Sequence, residues 1–203
     1  MKIICIGRNY REHAREMQAE APEEPVFFLK PDTALLRTNR PFFIPDFTRE
    51  VHYEAELVFR VAKNGRHIAA HFAQRYVDAV AIGIDFTARD IQTALKMKGL
   101  PWEKAKAFDG SAACGHFFPL TEVGPLENLK FELFVNGHIK QSATASEMLF
   151  PLDHIVAYVS RFITLRQGDL IYTGTPAGVG PVHRGDILEG LLNGTPSLKM
   201  KIL

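Results

Sequence analysis

Three acidic side chains have a spacing that could hold a metal ion. Glu54 and Glu56 alternate with apolar residues in segment 51–61, whose pattern predicts a β-strand with both carboxylates on one face. Asp85 directly follows 80–84, an apolar run that predicts a second strand. Carboxylates that repel each other need a cation, and a hard ion such as Mg²⁺ or Mn²⁺ suits oxygen ligands. The spacing of the two glutamates also fits a solvated strand face.

A histidine and a glutamate lie close together on the first predicted helix. Asn9 is of a type that favours helix N-caps, and the residues after it predict a helix over 10–19. His13 and Glu16 are three residues apart on this helix, so the carboxylate can hold the imidazole and raise its basicity. The pair could act as a general base, or it could simply lie on the polar surface of the helix.

A lysine and a glycine-rich segment are weaker candidates. Lys106 precedes Ala107 and Phe108, so its ammonium could lie beside a pocket, although a surface lysine fits equally well. Segment 173–181 is rich in glycine but lacks the Gly-Lys-Ser/Thr ending of a phosphate-binding loop. It indicates only a tight turn.

The elements that must position these residues are predicted to be mostly strands, which makes the fold class α+β. Asn136-Gly137 is a strong two-residue turn signal and predicts a β-hairpin. Thr87 is predicted to cap a helix that ends near Lys98. After Pro151, apolar residues recur at helical spacing and predict a helix with one buried face: Leu152, Ile155, Val156, Val159, Phe162 and Ile163.

Composition limits the function classes. With 203 residues, 46% hydrophobic and 23% charged, the chain is not intrinsically disordered and is predicted to form one domain over 1–203. A net charge of +1 excludes the strongly basic character of most nucleic-acid binders. Cys5 and Cys114 have no metal-site spacing, and no apolar run reaches the ~18 residues of a membrane span. We expect a cytoplasmic protein with no nucleic-acid and no membrane partner.

The order of the motifs along the chain is more specific than any one of them. The motifs are Gly7-Arg8-Asn9-Tyr10 followed by His13 and Glu16, Phe28-Leu29-Lys30-Pro31, His52-Tyr53-Glu54-Ala55-Glu56-Leu57, Asp85-Phe86-Thr87-Ala88-Arg89-Asp90-Ile91-Gln92, Lys106-Ala107-Phe108-Asp109, and Gly174-Thr175-Pro176-Ala177-Gly178-Val179-Gly180-Pro181. Over residues 3 to about 200 the chain resembles the fumarylacetoacetate hydrolase family. Within that family it is similar to the short, single-domain branch of acylpyruvate hydrolases and oxaloacetate decarboxylases.

The resemblance implies a fold, a cofactor and roles for the candidate residues. The fold would be a mixed, layered β-roll, the assembly a homodimer, and the cofactor Mg²⁺ or Mn²⁺. The resemblance makes Glu54, Glu56 and Asp85 the metal ligands. It assigns His13 and Glu16 to a water-activating dyad on a mobile lid. The residues that would contact the substrate are Arg8, Arg89, Gln92, Lys106 and Thr175. Longer members have a further acidic ligand on an extra N-terminal domain, which has no counterpart here.

These roles suit one type of reaction. A 2-oxo acid with a 4-carbonyl group could chelate the metal, and Lys106 would help to stabilise the enolate that forms when the C3–C4 bond breaks. His13, oriented by Glu16, would take a proton from the attacking water. Cleavage of acylpyruvates and decarboxylation of oxaloacetate both expel pyruvate enolate, so one site could serve both. The alternatives are an isomerase or hydratase of oxo-enoic diacids, against which the dyad argues, and a non-catalytic metal-dependent 2-oxo-acid binding protein.

Overall fold

The computed structural model describes residues 1–17, 20–36 and 40–203. In chain order, the strands are β1 (Ile3–Gly7), β2 (Val26–Lys30), β3 (Leu35–Leu36), β4 (Val51–Tyr53), β5 (Ala55–Val61), β6 (Val77–Asp85), β7 (Thr87–Ala88), β8 (Ala112–Cys114), β9 (Phe118–Pro119), β10 (Lys130–Val135), β11 (His138–Thr144), β12 (Leu170–Tyr172), β13 (Gly180–Pro181), β14 (Ile187–Leu192) and β15 (Thr195–Lys201). The α-helices are α1 (Arg11–Glu16), α2 (Arg89–Met97), α3 (Glu103–Lys106) and α4 (Leu152–Phe162). No helix among these residues is long and apolar enough to cross a membrane.

The strands of the described residues form three sheets. The largest has eight strands in the order β2-β1-β12-β5-β6-β8-β3, with β9 also paired to β6. It is mixed, because β1 and β12 run parallel whereas β5 and β6 run antiparallel. A four-stranded antiparallel sheet has the order β11-β10-β14-β15, and β13, β4 and β7 form a small third sheet. The fold is therefore α+β, dominated by strands with a curled sheet, as the sequence predicts.

The two larger sheets pack against each other across one face of the central strands, and the eight-stranded sheet buries the other face within its own curl. Leu57 of β5 and Ile82 of β6 lie in one core with Leu133 and Leu188 of the second sheet. The opposite face of the same strands packs in a smaller core that contains Val58. Because both faces are apolar, any carboxylate at the ends of these strands lies in a poorly hydrated environment and needs specific partners.

Several predicted elements are confirmed. Strand β6 contains the predicted apolar run 80–84, and β5 continues the predicted strand 51–61. Helix α4 buries four residues of its predicted face, Leu152, Ile155, Val156 and Val159, whereas Phe162 is 53% exposed and Ile163 lies past the helix end. The hairpin of β10 and β11 turns at Asn136 and Gly137, both with positive φ as a type I′ turn requires. Cys5 and Cys114 are both buried.

Two predicted helix caps are wrong. α1 begins after Tyr10, and the side chain of Asn9 instead bonds to the backbone of Phe150 and to the carbonyl of Thr173. Thr87 lies in β7, and the cap position of α2 is Ala88. In both cases a tertiary or strand contact replaces the local cap.

Two predicted element boundaries also need correction. The predicted strand 51–61 is interrupted at Glu54, which separates β4 from β5. The helix predicted over 10–19 ends at Glu16 in the structure, and residues 18 and 19 lie outside the described part of the chain.

Candidate active site

The three predicted metal ligands come together at one end of the β5–β6 pair. Glu54 lies in the break before β5, Glu56 is its second residue, and Asp85 ends β6. The Asp85 amide donates to the Glu54 carbonyl at 2.8 Å, which holds the two strand ends side by side. One ligand oxygen from each residue lies within 4.8 Å of the others, and the three residues are at most 5% exposed. The acidic triad, Glu54 with Glu56 and Asp85, is thus not a solvated strand face.

The glycine opposite Glu56 allows β5, β6 and the residues that pack against them to approach closely. Gly83 pairs with Glu56 in the β5–β6 ladder. A Cβ at this position would lie within 3 Å of the side chains of Val58 and Tyr172 and of the carbonyl of Ala113. The absence of a side chain at Gly83 therefore contributes to the placement of the triad.

Basic side chains compensate two of the three acids. Lys106 Nζ lies 2.7 Å from Glu54 Oε2 and 2.8 Å from Asp85 Oδ2. Lys30 Nζ lies 2.6 Å from Asp85 Oδ1, and an Arg89 guanidinium nitrogen lies 2.5 Å from Glu54 Oε1. Among the residues that the structure describes, Glu56 has no such ion pair. In this part of the structure Glu56, the more buried of the two glutamates, therefore lacks a basic side chain as partner.

The pKa values of the two glutamates diverge for this reason. Burial raises the pKa of Glu56 well above its usual range, and the charges of Asp85 and Glu54 raise it further. Burial also acts to raise the pKa of Glu54, but Lys106 and Arg89 outweigh it and lower the pKa overall. Three buried carboxylates, one without a neutralising partner, form a donor set that fits a hard divalent cation.

Lys30 is a site residue that the motif analysis did not single out for a role. It is fully buried at the end of β2, and its ammonium also donates to the Ser111 carbonyl at 2.7 Å. The Ser111 hydroxyl in turn donates to the carbonyl of Lys106 at 2.8 Å, so one serine links both lysines. The sequence does contain a signal for Lys30, because this lysine ends an apolar predicted strand and directly precedes Pro31.

The predicted dyad is present on α1. His13 Nδ1 lies 2.9 Å from Glu16 Oε2, and His13 is buried although Glu16 is exposed. The Gly178 amide donates to Glu16 Oε1 at 3.1 Å. The glycine-rich segment that indicated only a turn therefore holds the dyad from the opposite side.

A narrow cleft of about 40 Å³ connects these groups. Every predicted site residue except Glu16 lines it, and Glu16 lies behind His13. Within the cleft, Arg89 donates to Gln92 Oε1 at 2.6 Å. Gln141, which was not predicted as a site residue, does not line the cleft but donates to Thr175 Oγ1 at 2.8 Å. The lining residues are Ile6, Gly7, Arg8, His13, Met17, Phe28, Glu54, Glu56, Asp85, Arg89, Gln92, Lys96, Trp102, Lys106 and Thr175.

The comparison with protein families supports the resemblance that the motifs indicate. The model of the fumarylacetoacetate (FAA) hydrolase C-terminal domain matches residues 2–203. The chain belongs to the fumarylacetoacetate hydrolase family. The resemblance inferred from the ordered motifs is thereby confirmed, and the β-roll fold with it.

Relatives in this family are enzymes. The chain is 44% identical to bovine mitochondrial oxaloacetate tautomerase FAHD1 over 200 residues, which cover 98% of this chain and 90% of the relative. It is 39% identical to Escherichia coli oxaloacetate tautomerase YcgM over 203 residues, 100% of this chain and 92% of the relative. The crystal structure of fumarylpyruvate hydrolase from Pseudomonas aeruginosa with Mn²⁺ and pyruvate is similar at a TM-score of 0.95 and 38% identity, covering 100% of this chain and 89% of that one.

Proposed function

We propose that this chain is a divalent-metal-dependent enzyme that acts on 2-oxo acids with a second carbonyl group at carbon 4. Oxaloacetate and acylpyruvates both belong to this class. The observation that carries the proposal is that the His13–Glu16 dyad and the acidic triad face the same cleft. A binding protein would need the triad but no oriented base.

Glu54, Glu56 and Asp85 would hold the cation, as Mg²⁺ or Mn²⁺. When bound, it would supply Lewis-acid stabilisation of negative charge on the substrate's carboxylate and 2-oxo oxygens. Support comes from the all-oxygen donor set and from Glu56, which has no ion pair among the described residues. It also comes from the Mn²⁺ in the related fumarylpyruvate hydrolase.

His13 is the proposed general base. With Nδ1 donating to Glu16, Nε2 is left as the basic nitrogen of the imidazole. Glu16 is itself held by the Gly178 amide, so the ring is oriented from two sides. The dyad could therefore take a proton from water or from a substrate carbon without first reorganising.

Lys106 and Arg89 supply positive charge beside the acidic triad. Lys106 lies between Glu54 and Asp85, where its ammonium can stabilise the charge of an enolate without itself moving a proton. Arg89 is held by Glu54 and by Gln92, which fixes its guanidinium in the cleft. Both residues would orient the oxygens of the 2-oxo acid.

Two reactions share this arrangement. With an acylpyruvate, water loses a proton to His13 and attacks carbon 4, the C3–C4 bond breaks, and its electron pair leaves on carbon 3 as pyruvate enolate. With oxaloacetate, the base moves a proton between carbon 3 and the 2-oxo oxygen, and no C–C bond breaks. The tautomerase relatives favour the second reaction. The fumarylpyruvate hydrolase structure favours the first.

The test is turnover of enol-oxaloacetate and acetylpyruvate by Mn²⁺-loaded protein, followed by proton NMR. We expect at least one substrate to be converted, with loss of conversion after EDTA and recovery after Mn²⁺. Pyruvate with acetate would identify C–C hydrolysis, and keto-oxaloacetate without CO₂ would identify tautomerisation. If neither substrate reacts although oxalate binds to the loaded protein, the non-catalytic alternative replaces this proposal.

A further inference from the structure

We propose that Lys96 and Arg8 form a subsite for the distal carboxylate of a dicarboxylic 2-oxo acid, so that the cleft selects diacids over monoacids. This inference rests on the proposed function, because the acidic triad must hold the other end of the substrate through its cation. Lys96 was not a candidate in the sequence analysis.

The position of Lys96 follows from the spacing on α2. Arg89, Gln92 and Lys96 are at i, i+3 and i+7, so they share one helix face. Arg89 and Gln92 are buried next to Glu54, whereas Lys96 is exposed where the same cleft opens. A substrate held at the triad therefore extends along this face toward Lys96.

An aromatic wall separates the two ends of the cleft. The rings of Phe28 and Trp102 meet edge to face with centroids 6.0 Å apart. Lys106 Nζ lies 5.5 Å from the Phe28 ring, and Lys96 Nζ lies 5.7 Å from the Trp102 ring. The Lys106 ammonium thus lies at the triad, and the Lys96 ammonium lies at the outer end of the cleft. The apolar surface of the two rings lies between them and fits a short carbon chain.

The outer cations have no acidic partner within the described residues. Lys30, Lys106 and Arg89 each form an ion pair. The side chains of Arg8 and Lys96 form neither an ion pair nor a hydrogen bond with residues 1–17, 20–36 and 40–203. Although Lys96 is exposed as a residue, desolvation on its cleft side lowers the pKa of its ammonium, and the charges of Arg89 and Arg8 lower it further. An anion bound between the outer cations would relieve this repulsion.

The backbone at Arg8 supports a functional position. Its φ is 58°, a left-handed conformation that is costly for a residue with a side chain. The residue follows β1 directly and lines the cleft. Within the described residues, Arg8 and Lys96 both lack an acidic partner, and both line the cleft. Two such cations are what a carboxylate subsite requires.

The test is calorimetry on Mn²⁺-loaded protein with two 2-oxo acids of equal length, 2-oxoglutarate and 2-oxopentanoate. They differ in the distal carboxylate. We expect the wild type to prefer the diacid by about tenfold or more, as charge-assisted hydrogen bonds allow. Lys96→Met should remove most of that preference, and Arg8→Gln should reduce it. Lys98→Met, at an exposed lysine on the same helix end that does not line the cleft, should preserve it.

Oxalate is the probe that separates the two proposals, because it can chelate the cation but has no distal group. Equal oxalate affinity in wild type and Lys96→Met, with loss of the diacid preference only in the variant, supports the subsite. If oxalate binds but the wild type shows no diacid preference, or Lys96→Met keeps it, the subsite is wrong and the proposed function survives. If oxalate does not bind to the loaded wild type, both proposals fail.

Discussion

The floor and the mouth of the cleft are built in different ways. The floor consists of Glu54, Glu56, Asp85, Lys30 and Lys106, all buried, at the ends of strands or on α3 against them. Asp85 there has two basic partners. The mouth consists of Arg8, His13, Glu16 and Lys96. There His13 depends on one hydrogen bond to an exposed glutamate, and Lys96 is exposed.

This difference separates stability from chemistry. Buried charges that lose a partner destabilise the fold, because the remaining charge stays desolvated. Side chains at the mouth have few partners within the described fold, since Glu16 and Lys96 are exposed and the side chain of the buried His13 bonds to Glu16 alone. They can therefore be exchanged at little cost in stability. We therefore expect floor substitutions to change the metal affinity or the unfolding free energy, and mouth substitutions to change rates and selectivity alone.

The largest expected effect is that of Glu56→Gln. The amide can still accept the Gly174 hydrogen bond, but it no longer carries the charge that has no ion-pair partner in the described residues. Because repulsion within the triad falls, the metal-free fold should remain as stable as the wild type or become more stable. Turnover should fall by more than about 10⁴-fold, since the cation supplies several kcal/mol of charge stabilisation.

Calorimetric titration with Mn²⁺ checks this prediction, with Glu189→Gln as the control. Glu189 lies on the four-stranded sheet and pairs with Lys199 at the surface. Mn²⁺ affinity should fall only in Glu56→Gln. Wild-type Mn²⁺ affinity in that variant would remove Glu56 from the ligand set.

Replacement of His13 by alanine tests the mouth. The loss of a positioned base should reduce acetylpyruvate hydrolysis by about 10²- to 10⁴-fold. Decarboxylation of oxaloacetate, the activity implied by the sequence resemblance, should fall less, because loss of CO₂ needs no attacking water. Tautomerisation of oxaloacetate should fall together with hydrolysis, because both use the base. The melting temperature and the Mn²⁺ affinity should stay near those of the wild type, since His13 has no backbone or core partner other than Glu16 among the hydrogen bonds of the described side chains.

Steady-state rates with both substrates, together with thermal unfolding, decide between a base and a binding role for His13. Arg15→Ala on the same helix is the matched control, because Arg15 is exposed and its side chain bonds to the exposed Glu12. An equal fall of hydrolysis and decarboxylation in His13→Ala would place the imidazole in substrate binding and not in water activation.

The same contrast explains what could be predicted from the sequence. Local apolar patterns predict the strands of the floor. The ordered motifs identify the family and include residues that line the cleft. Asn9 was misassigned because capping is a local rule, whereas its partners Phe150 and Thr173 are 141 and 164 residues away. Only the fold brings Lys96 into the cleft, because its position depends on how α2 packs against the triad.

The smallest expected effect, that of Lys30→Met, tests whether the floor couples charge to folding. Lys30 is fully buried, and its ammonium is the partner of Asp85 Oδ1 and of the Ser111 carbonyl. Methionine fills a similar volume but leaves that oxygen without a cation, although Lys106 still compensates the other one. Without metal, we expect the free energy of unfolding to fall by about 3 kcal/mol, or roughly 6 to 12 °C in Tm.

A divalent cation at the triad would restore positive charge near Asp85, so saturating Mn²⁺ should reduce the difference in stability between Lys30→Met and the wild type. Lys130→Met, which removes a surface pair with Glu132, should cost less than about 1 kcal/mol under both conditions. Thermal unfolding of the three proteins with EDTA and with Mn²⁺ measures both quantities. If Lys30→Met is destabilised equally with and without Mn²⁺, Lys30 stabilises the fold through its packing and the Ser111 contact. The charge of Lys30 would then not be coupled to the triad, and the difference in stability between floor and mouth would rest on packing and not on charge.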